Sequence, residues 1–116
     1  TVTVRNAATP PPPAGTMSVG SITYTTSGTV PYYSDLLITA RVLNAQGHPV
    51  WGAYLWANVY RNGQLYLTPF GVTNTAGSIT FKLTRAPAGL YKTTIARISA
   101  TGLTWNGVTP PNEFVK

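Results

Sequence analysis

From Met17 onward, apolar and polar residues alternate in short runs of period two, the spacing of strands that turn one face toward a core. Met17–Thr26 reads as a strand closed by Ser27-Gly28. In Leu36–Leu43, Ile38, Ala40 and Val42 share one face, and Thr39 and Arg41 the other. Asn44-Ala45-Gln46-Gly47-His48-Pro49 is a turn cluster. Val50–Arg61 alternates again and stops at Asn62-Gly63, the dipeptide of a type I′ hairpin. Gln64–Thr68 is the return strand, ended by Pro69. Asn74-Thr75-Ala76-Gly77 leads into Ser78–Thr84, with Ile79, Phe81 and Leu83 pointing inward. Ala86-Pro87-Ala88-Gly89 leads into Leu90–Ser99, and a last short segment surrounds Leu103-Thr104-Trp105. No stretch carries a helical period. About seven short strands with regularly spaced turns predict an all-β, two-sheet sandwich.

Residues 1–16 stand apart from this pattern. Thr1, Val2, Thr3 and Val4 alternate like a strand, and Pro10-Pro11-Pro12-Pro13-Ala14-Gly15 has the composition of a semi-rigid polyproline spacer. The expected organisation is an extended strand plus Pro-rich linker over 1–16, then one sandwich over 17–116. Thr1–Val4 reads either as the end of a preceding domain or as a strand offered to another subunit.

Composition sharpens the class. Charged residues are 9% of the 116, far below the roughly 25% of average chains. Thr and Tyr take their place, which suits a pleated surface. There is no cysteine, so disulfides and thiolate metal sites are excluded. No apolar run is long enough to span a membrane. The chain opens on Thr1 and shows no signal peptide, which reads as a mature product or an excised fragment. The net charge of +6 arises because acids are scarce. Its eight bases are scattered, which predicts a mildly basic surface and no specific nucleic-acid site.

Two turns and their flanks carry a resemblance. Asn44-x-x-Gly47-x-Pro49-Val50-x-Gly52-Ala53 resembles the turn signature of bacterial immunoglobulin-like (Big, or invasin-type) repeats. Asn74-x-x-Gly77-x-Ile79-x-Phe81-x-Leu83 and Ala88-Gly89-Leu90-Tyr91-Lys92-Thr93-Thr94-Ile95 are similar to their later elements. Met17-Ser18-Val19-Gly20 and Gly102-Leu103-Thr104-Trp105 look like the borders of such a module, so the likeness covers about 17–109. It implies an immunoglobulin-like sandwich, an extracellular or cell-surface setting, and an accessory, spacer or adhesive role without an active site or cofactor. Asn44 and Asn74 stand where some members carry Asp, which removes carboxylates from any calcium site. Tyr91, two residues after Gly89, is placed for a tyrosine corner.

An inventory of reactive groups agrees with a non-catalytic reading. The chain has one His, one Asp and one Glu. A Ser–His–Asp triad would need His48 and Asp35. A carboxylate pair would need Asp35 and Glu113, and Glu113 lies in a Pro-rich tail. No metal-ligand cluster and no glycine-rich phosphate loop is present.

Strand Val50–Arg61 holds the one constellation of interest. Tyr54, Trp56, Asn58 and Tyr60 share a face opposite Ala53, Leu55, Ala57 and Val59. The resemblance places Ala53 and Leu55 inward, so the aromatic stripe is expected to face out, extended by Tyr66 across the hairpin. As a contact surface it suits a neighbouring domain or a like subunit. As a ligand strip it suits the stacking of polysaccharide rings, although the scarcity of acids favours protein contact. It also reads as a cross-strand cluster that only stabilises its sheet. A filament subunit joined through Thr1–Val4 is the alternative function. Trp51 is expected to cover a sheet end, Trp105 to close the core, and Tyr32-Tyr33 either to anchor a loop or to join a contact surface.

Overall fold

The computed structural model describes residues 15–28 and 34–116; Thr1–Val4, the Pro-rich segment and Tyr32-Tyr33 lie outside the described residues. Nine strands are formed among them: β1 (Thr16–Ser27), β2 (Asp35–Asn44), β3 (Tyr54–Arg61), β4 (Gln64–Leu67), β5 (Phe70–Val72), β6 (Ser78–Leu83), β7 (Leu90–Ser99), β8 (Thr104–Trp105) and β9 (Phe114–Val115). They make two sheets, one in the order β6-β2-β1-β8, the other β4-β3-β7-β9 with β5 also on β3. The molecule is all-β, with the two sheets packed on each other.

The count exceeds the expected seven for physical reasons. Pro69 interrupts the return strand, because it has no N–H to give. Its carbonyl still accepts from Ala57 N at 2.9 Å, and pairing resumes as β5. β9 is two residues long, too short to leave a periodic trace, whereas β8, equally short, falls on the segment expected around Leu103-Thr104-Trp105. At the front of β3, Val50–Ala53 is a clip and not strand. The buried Thr73 hydroxyl donates to Val50 O at 2.7 Å and accepts from Ala53 N at 2.9 Å.

Side chains follow the two-residue alternation except at three bulges. Gly20 is the extra residue of β1 between Val19 and Ser21, so Val19 and Ile22, three apart, both point inward. Ala96 is the extra residue of β7 opposite Trp56 and Ala57, and Tyr66 that of β4 opposite Val59 and Tyr60. The inner face of the first sheet presents Met17, Leu36, Ile38, Ala40, Val42, Phe81 and Leu83. The second sheet meets them with Leu55, Ala57, Val59, Tyr91, Ile95 and Ile98, all buried. Trp105 packs against this core from the end strand, as its position predicted.

The free side of β7 is closed by the C-terminal segment in an unusual way. Pro110 and Pro111 cannot donate to a ladder, so side chains do the pairing. Thr109 Oγ1 accepts from Ile95 N at 2.9 Å. Asn112 Oδ1 accepts from Thr93 N at 2.9 Å, while its Nδ2 donates to Thr93 O at 2.8 Å. The Tyr24 hydroxyl of β1 joins this network, contacting Asn112 Oδ1 and Thr93 Oγ1, and its ring stacks on Phe114 at 5.4 Å. The two sheets are thereby tied along that side. Gly15 enters beside Thr104, and Lys116 is held at Gly89 and Ala86, at opposite ends of the sandwich.

The turns at Asn44 and Asn74 are built alike. Each Asn side chain accepts from backbone N–H groups two and four residues on, at 2.9–3.0 Å. Each uses a glycine at positive φ, 82° at Gly47 and 72° at Gly77. Their surroundings differ. A Cβ on Gly47 would meet nothing within 4 Å, whereas one on Gly77 would lie 2.7 Å from Val42 O and 2.9 Å from Pro49 Cβ. We therefore expect Gly47→Ala to cost about 1 kcal/mol, the strain of the left-handed backbone alone. Gly77→Ala should cost about 3 kcal/mol or more, since backbone must also move. Urea midpoints at an unchanged slope measure both, and equal losses would contradict the crowding of Gly77 against Val42 and Pro49.

Candidate contact face

The outer face of the second sheet is set by β3. Ala53, Leu55, Ala57 and Val59 are buried, at 1% exposure or less, so the alternation turns Tyr54, Trp56, Asn58 and Tyr60 outward. The register then decides their neighbours. On one side Tyr54 faces Val72, Trp56 faces Phe70 and Tyr60 faces Leu65. On the other, Tyr54 faces Ser99, Trp56 faces Arg97, Asn58 faces Thr94 and Tyr60 faces Lys92.

The aromatic groups form one cluster. The Tyr54 ring lies 4.8 Å from Trp56 and 6.3 Å from Phe70, nearly parallel to the latter. The Arg97 guanidinium sits over the indole of Trp56, 5.1 Å from its centroid, a cation–π geometry. Trp56 is thus half-buried by its neighbours. The open part of the cluster is its rim: Phe70 is 61% exposed and Val72 48%. Trp51 is exposed as well. It was expected to cover a sheet end, but it is 72% exposed in the turn before β3, which Gly52 N ties to Thr73 O just past Val72.

Tyr66 does not extend the stripe. It is the bulged residue of β4, so Leu65 takes the place opposite Tyr60. The Tyr66 ring packs edge-on against the core residue Tyr91, with centroids 6.0 Å apart and planes at 86°. Asn58 and Tyr60 lie farther along the face. There Tyr60, Leu90, Lys92, Thr94 and Glu113 line a shallow depression of about 330 Å³.

The sequence pattern missed Phe70, Val72, Leu65 and Arg97. The first two sit on a three-residue strand behind a proline. The placement of Arg97 depends on the bulge at Ala96, which period-two reading does not anticipate. The apolar run Leu65–Val72 was nonetheless present in the sequence, and Pro69 within it marks an edge position.

The other candidate groups are not brought together as a triad. His48 lies in the exposed turn beyond Asn44, and Asp35 begins the same strand, which separates them by roughly 30 Å. Asp35 is held elsewhere. Its carboxylate accepts from Arg85 N at 2.9 Å and pairs with Lys82 at 3.4 Å, and the Arg85 bond holds its pKa below the usual carboxylate range. Among the described residues no cluster of His, Cys, Asp and Glu is arranged as a metal site.

Beneath the face, Tyr91 makes the bond its position suggested. Its ring is fully buried and its hydroxyl donates to Pro87 O at 2.5 Å. Burial raises its pKa above the ordinary value near 10, and that of Tyr24 likewise. The chain matches no family model, no curated protein and no solved structure.

Two outcomes follow for Tyr91. Tyr91→Phe should cost about 1–2 kcal/mol at neutral pH, because it leaves a carbonyl without its partner. For the alkaline limb, a folded pKa raised above the unfolded value gives stability that is complete below about pH 10 and lost as pH rises through the higher folded value. Denaturation series from pH 8 to 12 should show that loss, with a shallower slope in the Phe variant. A wild-type stability that stays flat to pH 12 would rule this linkage out.

Proposed function

We propose that the chain is a non-catalytic, immunoglobulin-like accessory module of a secreted or cell-surface protein, and that it works by surface contact through the Tyr54–Phe70 face. The immunoglobulin-like assignment is supported by the strand order β6-β2-β1 against β4-β3-β7-β9. The hydroxyl bond of Tyr91 at the turn into β7 has the geometry of a tyrosine corner and supports it further. The extracellular setting and the kinship with bacterial immunoglobulin-like repeats rest on the turn motifs at Asn44 and Asn74 and on the Gly89-x-Tyr91 element. No cofactor enters this reading.

The observation that carries the contact role is the exposed apolar rim of the sheet. Leu65, Phe70 and Val72 follow one another along the β4–β5 edge, next to Tyr54. Apolar groups gathered on one edge and face favour contact with another surface. Protein contact is favoured over polysaccharide, since sugar rings stack on open aromatic faces and Trp56 already carries Arg97 over its ring.

A photo-crosslinking residue in place of Phe70 tests this in the cells that make the protein. A discrete protein adduct is expected from position 70, and none from Thr39 on the opposite sheet. Equal labelling from both positions would sink the proposal. Retention of the purified protein on insoluble cellulose or chitin, abolished by Trp56→Ala, would replace it with the polysaccharide reading.

A further inference from the structure

Among the described residues, the first sheet is open along one edge. β1 pairs with β2 over its whole length, from Met17 to Ser27. On its other side, among the described residues, only Thr16 and Met17 are paired, with Thr104 and Trp105 of β8. From Ser18 to Ser27, about 30 Å of strand backbone therefore has no ladder partner on that side among the described residues. Natural sheets protect such an edge with charge, proline or a bulge turned against pairing. Beyond the bulge at Gly20, the run Ser21-Ile22-Thr23-Tyr24-Thr25-Thr26-Ser27 has none of these.

The chemistry beside that edge selects its occupant. Ser21, Thr23 and Thr25 line the outer side of β1 and continue a hydroxyl surface across Thr39 and Thr80, whose side chains bond at 2.9 Å. Ile22 and the half-buried Tyr24 point to the core side. A matching strand must offer hydroxyls on one face and small β-branched apolar groups on the other. Thr1-Val2-Thr3-Val4 has this pattern: Thr1 and Thr3 would extend the hydroxyl surface, and Val2 and Val4 would cover Ile22 and Tyr24.

We infer that the open edge of β1 receives Thr1–Val4 of a second copy, so that copies join head to tail by strand addition. The same chain is a poor donor to itself. β8 already occupies the edge next to Gly15, with Thr104 N bonded to Gly15 O at 2.7 Å and Asn106 N to Met17 O at 3.1 Å. A returning segment would have to pass around β8. The stiff Pro10–Pro13 run lies directly before that point. A neighbour is within reach instead, because a ten-residue segment such as 5–14 would span about 30 Å at polyproline rise. The joint uses the first sheet and leaves the Tyr54–Phe70 face of the second sheet free.

Light scattering on the full chain across a concentration series tests the joint, with thermal melting as a control on folding. The expected result is a mass that climbs from 12.4 kDa to at least twice that value. It should return to monomer when Val2 and Val4 are both replaced by proline, with an unchanged melting temperature. An excess of a synthetic peptide of residues 1–8 should dissociate the wild-type assembly. A wild type that is monomeric at every concentration overturns the inference. So does an assembly that survives Val2→Pro with Val4→Pro. A monomer whose melting temperature falls in that double variant also overturns it, because the segment would then serve its own copy.

Discussion

The strict alternation of β3 is the constraint on which both sides of the second sheet depend. Ala53, Leu55, Ala57 and Val59 must be buried to meet Ile38, Leu36 and Val42 of the facing sheet. Each large aliphatic side chain so buried contributes on the order of 1.5–3 kcal/mol. Tyr54, Trp56, Asn58 and Tyr60 are turned outward by the same backbone, with no further instruction. A slip of one residue would put Trp56 into a space shaped for Ala57 and expose Leu55. The core and the contact face are thus two readings of a single register, and neither can be altered without the other.

Buried polar groups impose the second level of order. Tyr91, Thr73 and Thr93 sit at 2% exposure or less, and each hydroxyl has a partner: Pro87 O for Tyr91, Val50 O for Thr73, and the Tyr24 hydroxyl of the facing sheet for Thr93. A buried hydroxyl or amide without a partner costs about 1–3 kcal/mol. This explains why the Pro-rich C-terminal segment is held in one place: Asn112 and Thr109 supply to β7 what Pro110 and Pro111 cannot. The indole N–H of Trp105 is buried with no partner in the structure, the one such side-chain atom among the described residues. The Trp105 side chain is held by packing, while its backbone pairs with Met17 of β1.

How legible this was in the sequence varied with the length of each regular run. β2, β3, β6 and β7 were readable because four or more alternating residues repeat in each, and the aromatic stripe followed from β3. The all-β, two-sheet arrangement came with them. Legibility failed where one residue is inserted. Gly20 shifts the parity of β1, Ala96 brings Arg97 opposite Trp56, and Tyr66 leaves the stripe for a ring contact with Tyr91. A bulge has no signature in hydropathy, since it changes which face a residue takes and not what the residue is. The short strands β5 and β9 were missed for a related reason. A tertiary neighbour defines them, as β7 does for Phe114 and Val115.

The chain enters this sandwich beside Thr104 and leaves it beside Gly89, at opposite ends. Tension applied through the two ends would therefore run along β1 and β7, parallel to the strands. β1 is bonded to β2 over ten residue pairs, and those bonds would be loaded together in shear and not peeled one at a time. The β7–β9 ladder has two pairs, so the C-terminal segment is the mechanical weak point, held chiefly by Asn112 and Thr109. Under load the module would first pay out its Pro-rich tail and lengthen by a short step while the ten-pair joint stays closed. The same side-chain clasp that seals the edge of β7 would then set the force at which that first step occurs.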